Sequence, residues 1–470
     1  MKGMNKMSFL FSDLTSRKED LLRWISATCE VLKTSKGSQT STGLVVAILL
    51  NLIIPFTAFA LDFDIQGQLS AWTTETNIDD DWHNQTGVRY IPQLTLEQPA
   101  GDANFFDLEI SGNGYWLYDT ETEDDDSDAE LYRLKLRFAT PQTDTRIGLQ
   151  KINFGPAQLL RSLQWFDTLD PRDPQKFTDG VWGLRFRYYA MNNANLWLWA
   201  LYGNDEKKGM EILPSVEDEG EFGGRFQYPV FGGELAATFH TRNVDFPSSL
   251  ISYPAFPSFS FQRSGVGTQN ADAPASSRCM TQSVEPWVIM QGKAPKEIQR
   301  GNQLVSDYRE NRYALDGRWD VEIGIWFEAV LQENNIENIP LEAAKIVKKA
   351  KMITIGADYT IGIGNGLHVL GEHMITALGE EVTEFEEDNQ ISAVSMNYPI
   401  GLFDNFQAMG YYSWEWEEYF QYYNWNRTYD TFTLNLSLFH YPEINQPLAE
   451  FSPTPFGSGY GAQLMVIYYH

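Results

Sequence analysis

Polar and apolar residues alternate with period two along most of this chain, and no other feature limits its fold so strongly. Phe63, Ile65, Leu69 and Ala71 are interleaved with Asp64, Gln66, Gln68 and Ser70. Tyr132, Leu134, Leu136 and Phe138 are interleaved with Arg133, Lys135 and Arg137. Trp182, Leu184, Phe186 and Tyr188 alternate in the same way with Gly183, Arg185 and Arg187. The pattern returns at residues 353–361 and 431–438, and strand-like segments continue to the final GAQLMVIYYH. Successive side chains of a strand point to opposite faces, so each segment reads as a strand with one apolar and one polar face. One short helical patch, LEAAKIVKKAK at residues 341–351, interrupts the series.

The connections choose among the all-β architectures. The clusters PAGDAN, ATPQTDT, MNNAN, VFGGE, GIGNG and PIGLFDN read as tight turns. Between them lie longer acidic or Pro-rich stretches: NIDDDWHN, DTETEDDDSDAE, EKKGMEILPSVEDEGE and the span 243–310. Short turns at one end and long loops at the other describe an antiparallel up-and-down β-barrel of a bacterial outer membrane. Aromatic pairs such as Tyr115-Trp116, Tyr188-Tyr189 and Tyr411-Tyr412 suit its interfacial girdles. A soluble sandwich or propeller would need strands apolar on both faces or a 40–50-residue repeat, and the chain offers neither clearly. About sixteen strands can be placed. Eighteen result if residues 284–290 hold a strand, or if the run 312–331 is two strands divided at Asp316-Gly317.

Residues 43–60, GLVVAILLNLIIPFTAFA, carry no charge, follow Lys33 and Lys36, and end in Ala58-Phe59-Ala60. This is the layout of a secretory signal peptide, with cleavage expected after Ala60. An uncleaved anchor is the other reading, since about 20 apolar residues span a bilayer. The region ahead of the apolar run is long for a signal, which points to a start downstream of Met1 or to an extended leader. The expected organisation is a leader over 1–60 and a barrel over 61–470, with a long loop insert at about 243–310. Cys29 would leave with the leader, and Cys279 alone supports neither a disulfide framework nor a cysteine-rich metal module.

The chain has 35 Lys+Arg against 63 Asp+Glu, a net charge of −28, which excludes the basic field of a nucleic-acid binder. Residues 131–187 are the exception, with ten basic and five acidic residues. Arg133, Lys135 and Arg137 share one strand face, as do Arg185 and Arg187, and in each case the opposite face is apolar. A lipid-facing Arg at mid-bilayer costs ~2–4 kcal/mol, so these cations, together with Arg146, are expected to line the lumen. There they would concentrate an anionic solute. The competing reading pairs them with carboxylates such as Glu109 and Asp107 on an adjacent strand, where they brace the wall. Between these strands lies the segment 153–180, carrying Arg161, Asp167, Asp170, Arg172 and Asp173. It is expected to fold inward as a constriction loop whose fixed charges set selectivity. A surface loop whose Asp and Pro residues only build turns is the alternative.

The same region resembles a known motif. GLQKINFG at 148–155, WFDTLDPRDP at 165–174 and GVWGLRFR at 180–187 are similar to an early run of bacterial outer-membrane porin-like barrels, among them the alginate-export family and related uncharacterised families. The resemblance implies a barrel of 16–18 strands with an arginine-rich pore passing acidic polysaccharide, lined here by Arg133, Lys135, Arg137, Arg146, Arg185 and Arg187. The chain ends Tyr468-Tyr469-His470, where such barrels typically end in Phe or Trp.

The expected function is an outer-membrane channel of the porin or export type, passing anionic small molecules or acidic glycans. A plugged structural, assembly or receptor barrel is the alternative. His83 and His240 have no partner at catalytic spacing, and His368 and His373, five apart, point to opposite strand faces. The acidic runs read as solvated loops. No enzyme activity, cofactor or metal is therefore expected. The expected partners are membrane lipid, lipopolysaccharide and an anionic solute or polysaccharide, with no nucleic acid; a homo-oligomer is compatible with such a barrel.

Overall fold

A computed structural model describes residues 62–245, 308–335, 349–379, 387–442 and 459–470, apart from 79–80, 102, 121–123, 212 and 416. The leader expected over 1–60, nearly all of the insert at 243–310 and the stretch 284–290 lie outside the described residues.

Eighteen strands follow one another in chain order. They are β1 (Asp62–Ile78), β2 (Asp81–Pro99), β3 (Phe105–Asp119), β4 (Asp124–Ala139), β5 (Thr143–Gln150) and β6 (Val181–Tyr189). Next come β7 (Asn195–Tyr202), β8 (Gly220–Val230), β9 (Gly233–Val244), β10 (Tyr308–Asp320), β11 (Gly324–Asn335) and β12 (Lys349–Ile361). The last are β13 (Leu367–Gly379), β14 (Glu387–Ile400), β15 (Asp404–Ser413), β16 (Glu418–Thr428), β17 (Phe432–Tyr441) and β18 (Gly459–Tyr469). Each pairs antiparallel with its sequence neighbours, and β18 pairs with β1 from Gln68↔Tyr469 to Asn77↔Tyr460. The sheet is a closed barrel. His470 finishes the seam: it exchanges backbone hydrogen bonds with Gly67 at 2.9 and 3.1 Å, and its ring stacks on Tyr90 at 5.8 Å.

The strand number is the higher of the two expected values. The run 312–331 is two strands, but it divides at residues 321–323 and not at Asp316-Gly317. Asp316 lies within β10, where its carboxylate takes both terminal nitrogens of Arg225 at 2.5 and 2.7 Å. The Asp-Gly pair stays in line because both residues are paired in the ladder on both sides, with β9 and with β11. The helical patch also needs correction. Residues 349–351 open β12, and the remainder of 341–351 lies outside the described residues.

All six Gly, Pro and Asn clusters form connections at one end of the barrel, and the longer connections gather at the other. Two acidic stretches expected as loops are instead mostly strand, since β2 begins at Asp81 and β4 at Asp124. The ladder can continue beyond the apolar band because water solvates the carboxylates while cross-strand hydrogen bonds still satisfy the backbone.

The alternation orders the two faces. Tyr90, Ile147, Leu184, Phe226, Ile353, Val394 and Leu436 are exposed on the outside, while Arg89, Arg185, Arg225, Thr354, Ser395 and Ser437 are buried inside. Apolar surface outside and polar groups inside reverse the order of a soluble domain, and this arrangement is stable only with lipid around it. Val394→Arg is expected to destabilise the barrel by ~2–4 kcal/mol in lipid. Urea titration of refolded protein in phospholipid vesicles, read as loss of the heat-modifiable band, measures it.

Candidate functional site: the barrel lumen

Loop 151–180, between β5 and β6, leaves the long-loop end and crosses the interior. Its apolar residues have nowhere else to go. Ala157, Leu159 and Leu160 pack with Trp326 of β11, Met374 of β13, Tyr411 of β15 and Tyr441 of β17. Phe154, Leu163, Trp165 and Phe166 pack with Trp197 and Trp199 of β7 and with Val330 of β11. The lumen therefore contains a second hydrophobic core, made of one loop and inward-facing aromatics from both sides of the barrel.

The loop charges expected to set selectivity are satisfied within the loop. Arg161 pairs with Asp167 at 2.5 and 3.0 Å, and Arg172 with Asp170 at 2.7 to 3.2 Å. Asp173 accepts the amide N–H groups of Gln175 and Phe177, both at 2.9 Å. A charge enclosed by apolar walls persists only when paired, which is why these residues meet one another. Burial pushes the Asp173 carboxyl up to about 6, against the two backbone donors that favour its charge. At the return end of the loop, Arg133 of β4 donates to the Thr178 carbonyl at 2.6 Å, and Arg89 of β2 donates to Gln175 at 3.2 Å.

Loop 203–219 also turns inward. Its Glu211 carboxylate lies 3.0 Å from Arg242 and 3.2 Å from Arg312, and both arginines share Glu310. Lys208 pairs with Glu221 at 2.9 Å, and His240 Nε2 lies 3.2 Å from the same carboxylate. Trp199 donates its indole N–H to His240 Nδ1 at 3.2 Å, which leaves the imidazole proton on Nε2. Three cations and three carboxylates balance in this buried cluster. Sequence reading missed it. Lys208 and Glu211 belong to an acidic stretch that looked solvated, and only the fold brings Arg242, Glu310 and Arg312 to them.

The cations of β4, β5 and β6 are not balanced. Arg137 stands directly opposite Arg146, and Arg146 opposite Arg185. Asp144 serves all three, at 2.6 Å from Arg137, 2.8 Å from Arg146 and 3.4 Å from Arg185. Asp107 accepts from Arg137 at 3.4 Å, and Glu109 pairs with Lys135 at 2.5 Å. Arg187 forms no ion pair among the described residues and lies over the rings of Trp197, at 3.7 Å, and Tyr189, at 5.0 Å. The bracing expected from Asp107 and Glu109 is thus present, and a surplus of cations stands beside it. Arg137 and Arg146 keep side-chain exposures of 28% and 23%, while Arg185 keeps only 5%. The solvated members of this group lie toward the short-turn end, below the packed loop. A polar recess of about 460 Å³ opens at the same end, lined by Asn195, Gln227, Glu234 and Arg318.

Closed, antiparallel and belted with outward apolar side chains, the chain is a β-barrel of the bacterial outer membrane. It is similar to solved outer-membrane proteins. One is OmpT of Vibrio cholerae, folded in vitro and in a trimer form, at 12% identity and a TM-score of 0.43, covering 88% of this chain and 100% of that one. Another is an anion-selective porin from Comamonas acidovorans, at 8% identity and 0.42, covering 87% and 100%. A third is OpdL of Pseudomonas aeruginosa, at 8% and 0.48, covering 87% and 99%. No family model matches the chain, and no curated protein matches its sequence.

The Asp173 carboxyl yields a pH test. A folded pKa raised from the ordinary 3.8 to about 6 means that its contribution to the packed loop is complete below the lower value and lost as pH rises through the higher one. Protection factors of the amides around residues 173–177, measured by hydrogen exchange, are expected to be larger at pH 5 than at pH 7, and Asp173→Asn to remove the difference.

Proposed function

We propose that this barrel is an outer-membrane channel of the porin type that favours anionic solutes. The observation that carries this reading is the surplus of inward cations on β4 to β6, where Arg137, Arg146 and Arg185 share the single carboxylate of Asp144 and Arg187 pairs with none of the described residues. A low-dielectric cavity with one sign of charge in excess attracts counter-ions and repels co-ions. Arg133, Lys135, Arg137, Arg146, Arg185 and Arg187 are the proposed lining. Their roles are unequal: Lys135 and Arg185 act mainly as braces, and Arg137, Arg146 and Arg187 face the solute. Loop 151–180 reaches strands on both sides of the lumen, which favours compact anions over a polymeric glycan.

A second reading has its own support. Inward side chains at the level of the loop are buried around the circumference, from Thr74 and Arg89 through His240 and Glu328 to Tyr422 and Gln463. That packing suits a plugged barrel acting as a scaffold or receptor. Planar-bilayer recording separates the two. The channel reading expects discrete steps with reversal potentials favouring chloride over potassium, and Arg146→Ala with Arg187→Ala is expected to bring the permeability ratio down toward unity. A folded barrel that stays silent in the bilayer overturns the channel reading in favour of the plug.

A further inference from the structure

In loop 151–180, among the described residues, no backbone N–H ahead of Gln164 bonds to a backbone carbonyl of the loop. Its backbone N–H groups at 157–160 and 163 point away from the loop and need acceptors, because a buried amide is rarely left without one. Two glutamates of the opposite wall supply them. Glu328 of β11 accepts from the Ala157 amide at 3.0 Å, the Leu163 amide at 2.9 Å and the Ser162 hydroxyl at 2.9 Å. Glu372 of β13 accepts from the amides of Gln158 at 2.7 Å, Leu159 at 2.9 Å and Leu160 at 2.5 Å, and from the Trp326 indole at 3.1 Å.

Three features separate this arrangement from ordinary wall bracing. First, neither carboxyl group forms an ion pair among the described residues, although both are buried, at 0% and 4% exposure; their oxygens are met by N–H and O–H donors, mostly from the loop. Second, the donors come from consecutive residues with no regular structure, so the carboxylates replace the secondary structure this segment lacks. Third, the strands are shaped to receive the loop. Gly356 stands between Trp326 and Glu372 in the cross-strand row, and its missing side chain leaves room for the indole that holds Glu372. On the loop side Gly155 has φ +95°, and a Cβ there would collide with the Glu328 carboxylate.

We infer that Glu328 and Glu372 are positioning residues that hold loop 151–180 across the lumen and so set the aperture. The aperture part rests on the channel reading above; the holding part does not. A carboxylate offers about four acceptor sites and no donor, which matches a cluster of N–H groups. A glutamine of the same shape turns an NH₂ group toward those amides and breaks part of the set.

The test uses the full chain with Cys29 and Cys279 replaced by Ser, and Leu160→Cys as reporter. Leu160 is buried, and its backbone bond to Glu372 survives the substitution. Glu328→Gln with Glu372→Gln is expected to raise the rate of modification by a membrane-impermeant maleimide about tenfold or more, since the loop donors left facing an NH₂ group lose their acceptors. It is also expected to raise unitary conductance. A rate within about twofold of the parent, in a barrel that remains heat-modifiable, overturns the inference. If the glutamine pair does not fold, Gly155→Ala loosens the loop from its own side with both carboxylates intact, and the same two rates decide. Faster labelling with parent and variant both silent in the bilayer upholds the positioning role and overturns the channel reading.

Discussion

Inside a bilayer no water is available to a backbone N–H or C=O, and each strand of this protein meets that constraint only because the next strand is there. The β1–β18 seam is where the requirement is tightest. Ten register pairs run from Gln68↔Tyr469 to Asn77↔Tyr460, and the last residue of the chain closes the final ring of hydrogen bonds with Gly67. Without that seam both edges would be bare in hydrocarbon. The inward cations, the loop inside the barrel and the outward apolar belt all presuppose the closed ring, since only closure defines an inside.

A barrel of eighteen strands encloses more space than side chains from the wall can fill. Here two loops occupy much of it, by different means. Loop 151–180 is mainly apolar where it meets aromatics of the far wall, its arginines pair with its own aspartates, and its amides at 157–160 and 163 are accepted by Glu328 and Glu372. Loop 203–219 is held by a neutral cluster of charges around Glu211, Glu221 and Glu310. Both obey one rule, that a buried charge persists where it is paired or fully hydrogen-bonded. The wall of β4 to β6 is where pairing is incomplete, and it is also where the cations keep contact with solvent. The incompletely paired charge and the solvated space coincide at Arg137 and Arg146.

Much of this was legible in the chain. Strand faces, the short turns and the inward direction of Arg133, Lys135, Arg137, Arg185 and Arg187 follow from period-two alternation, which is local. Where reading failed, a distant partner had changed the meaning of a local signal. Asp316-Gly317 looks like a turn until β9 and β11 are paired on either side of it. DTETEDDDSDAE looks like a loop until β3 pairs with its second half. Arg161, Asp167, Asp170 and Arg172 look like free charges until the loop folds on itself. Glu328 and Glu372 were legible only as acids at inward mid-strand positions, with nothing nearby in sequence to say what they receive.

The sequence by itself determined that the chain is an outer-membrane barrel with one cationic stretch, because facing and turn chemistry depend on residues two to five apart. Only the tertiary structure decided the strand number, the crossing of loop 151–180 to β11 and β13, and which arginines share a carboxylate and which go without. Those outcomes depend on register and ring closure, which bring together residues such as Gln158 and Glu372, 214 positions apart. No local pattern encodes a meeting at that distance.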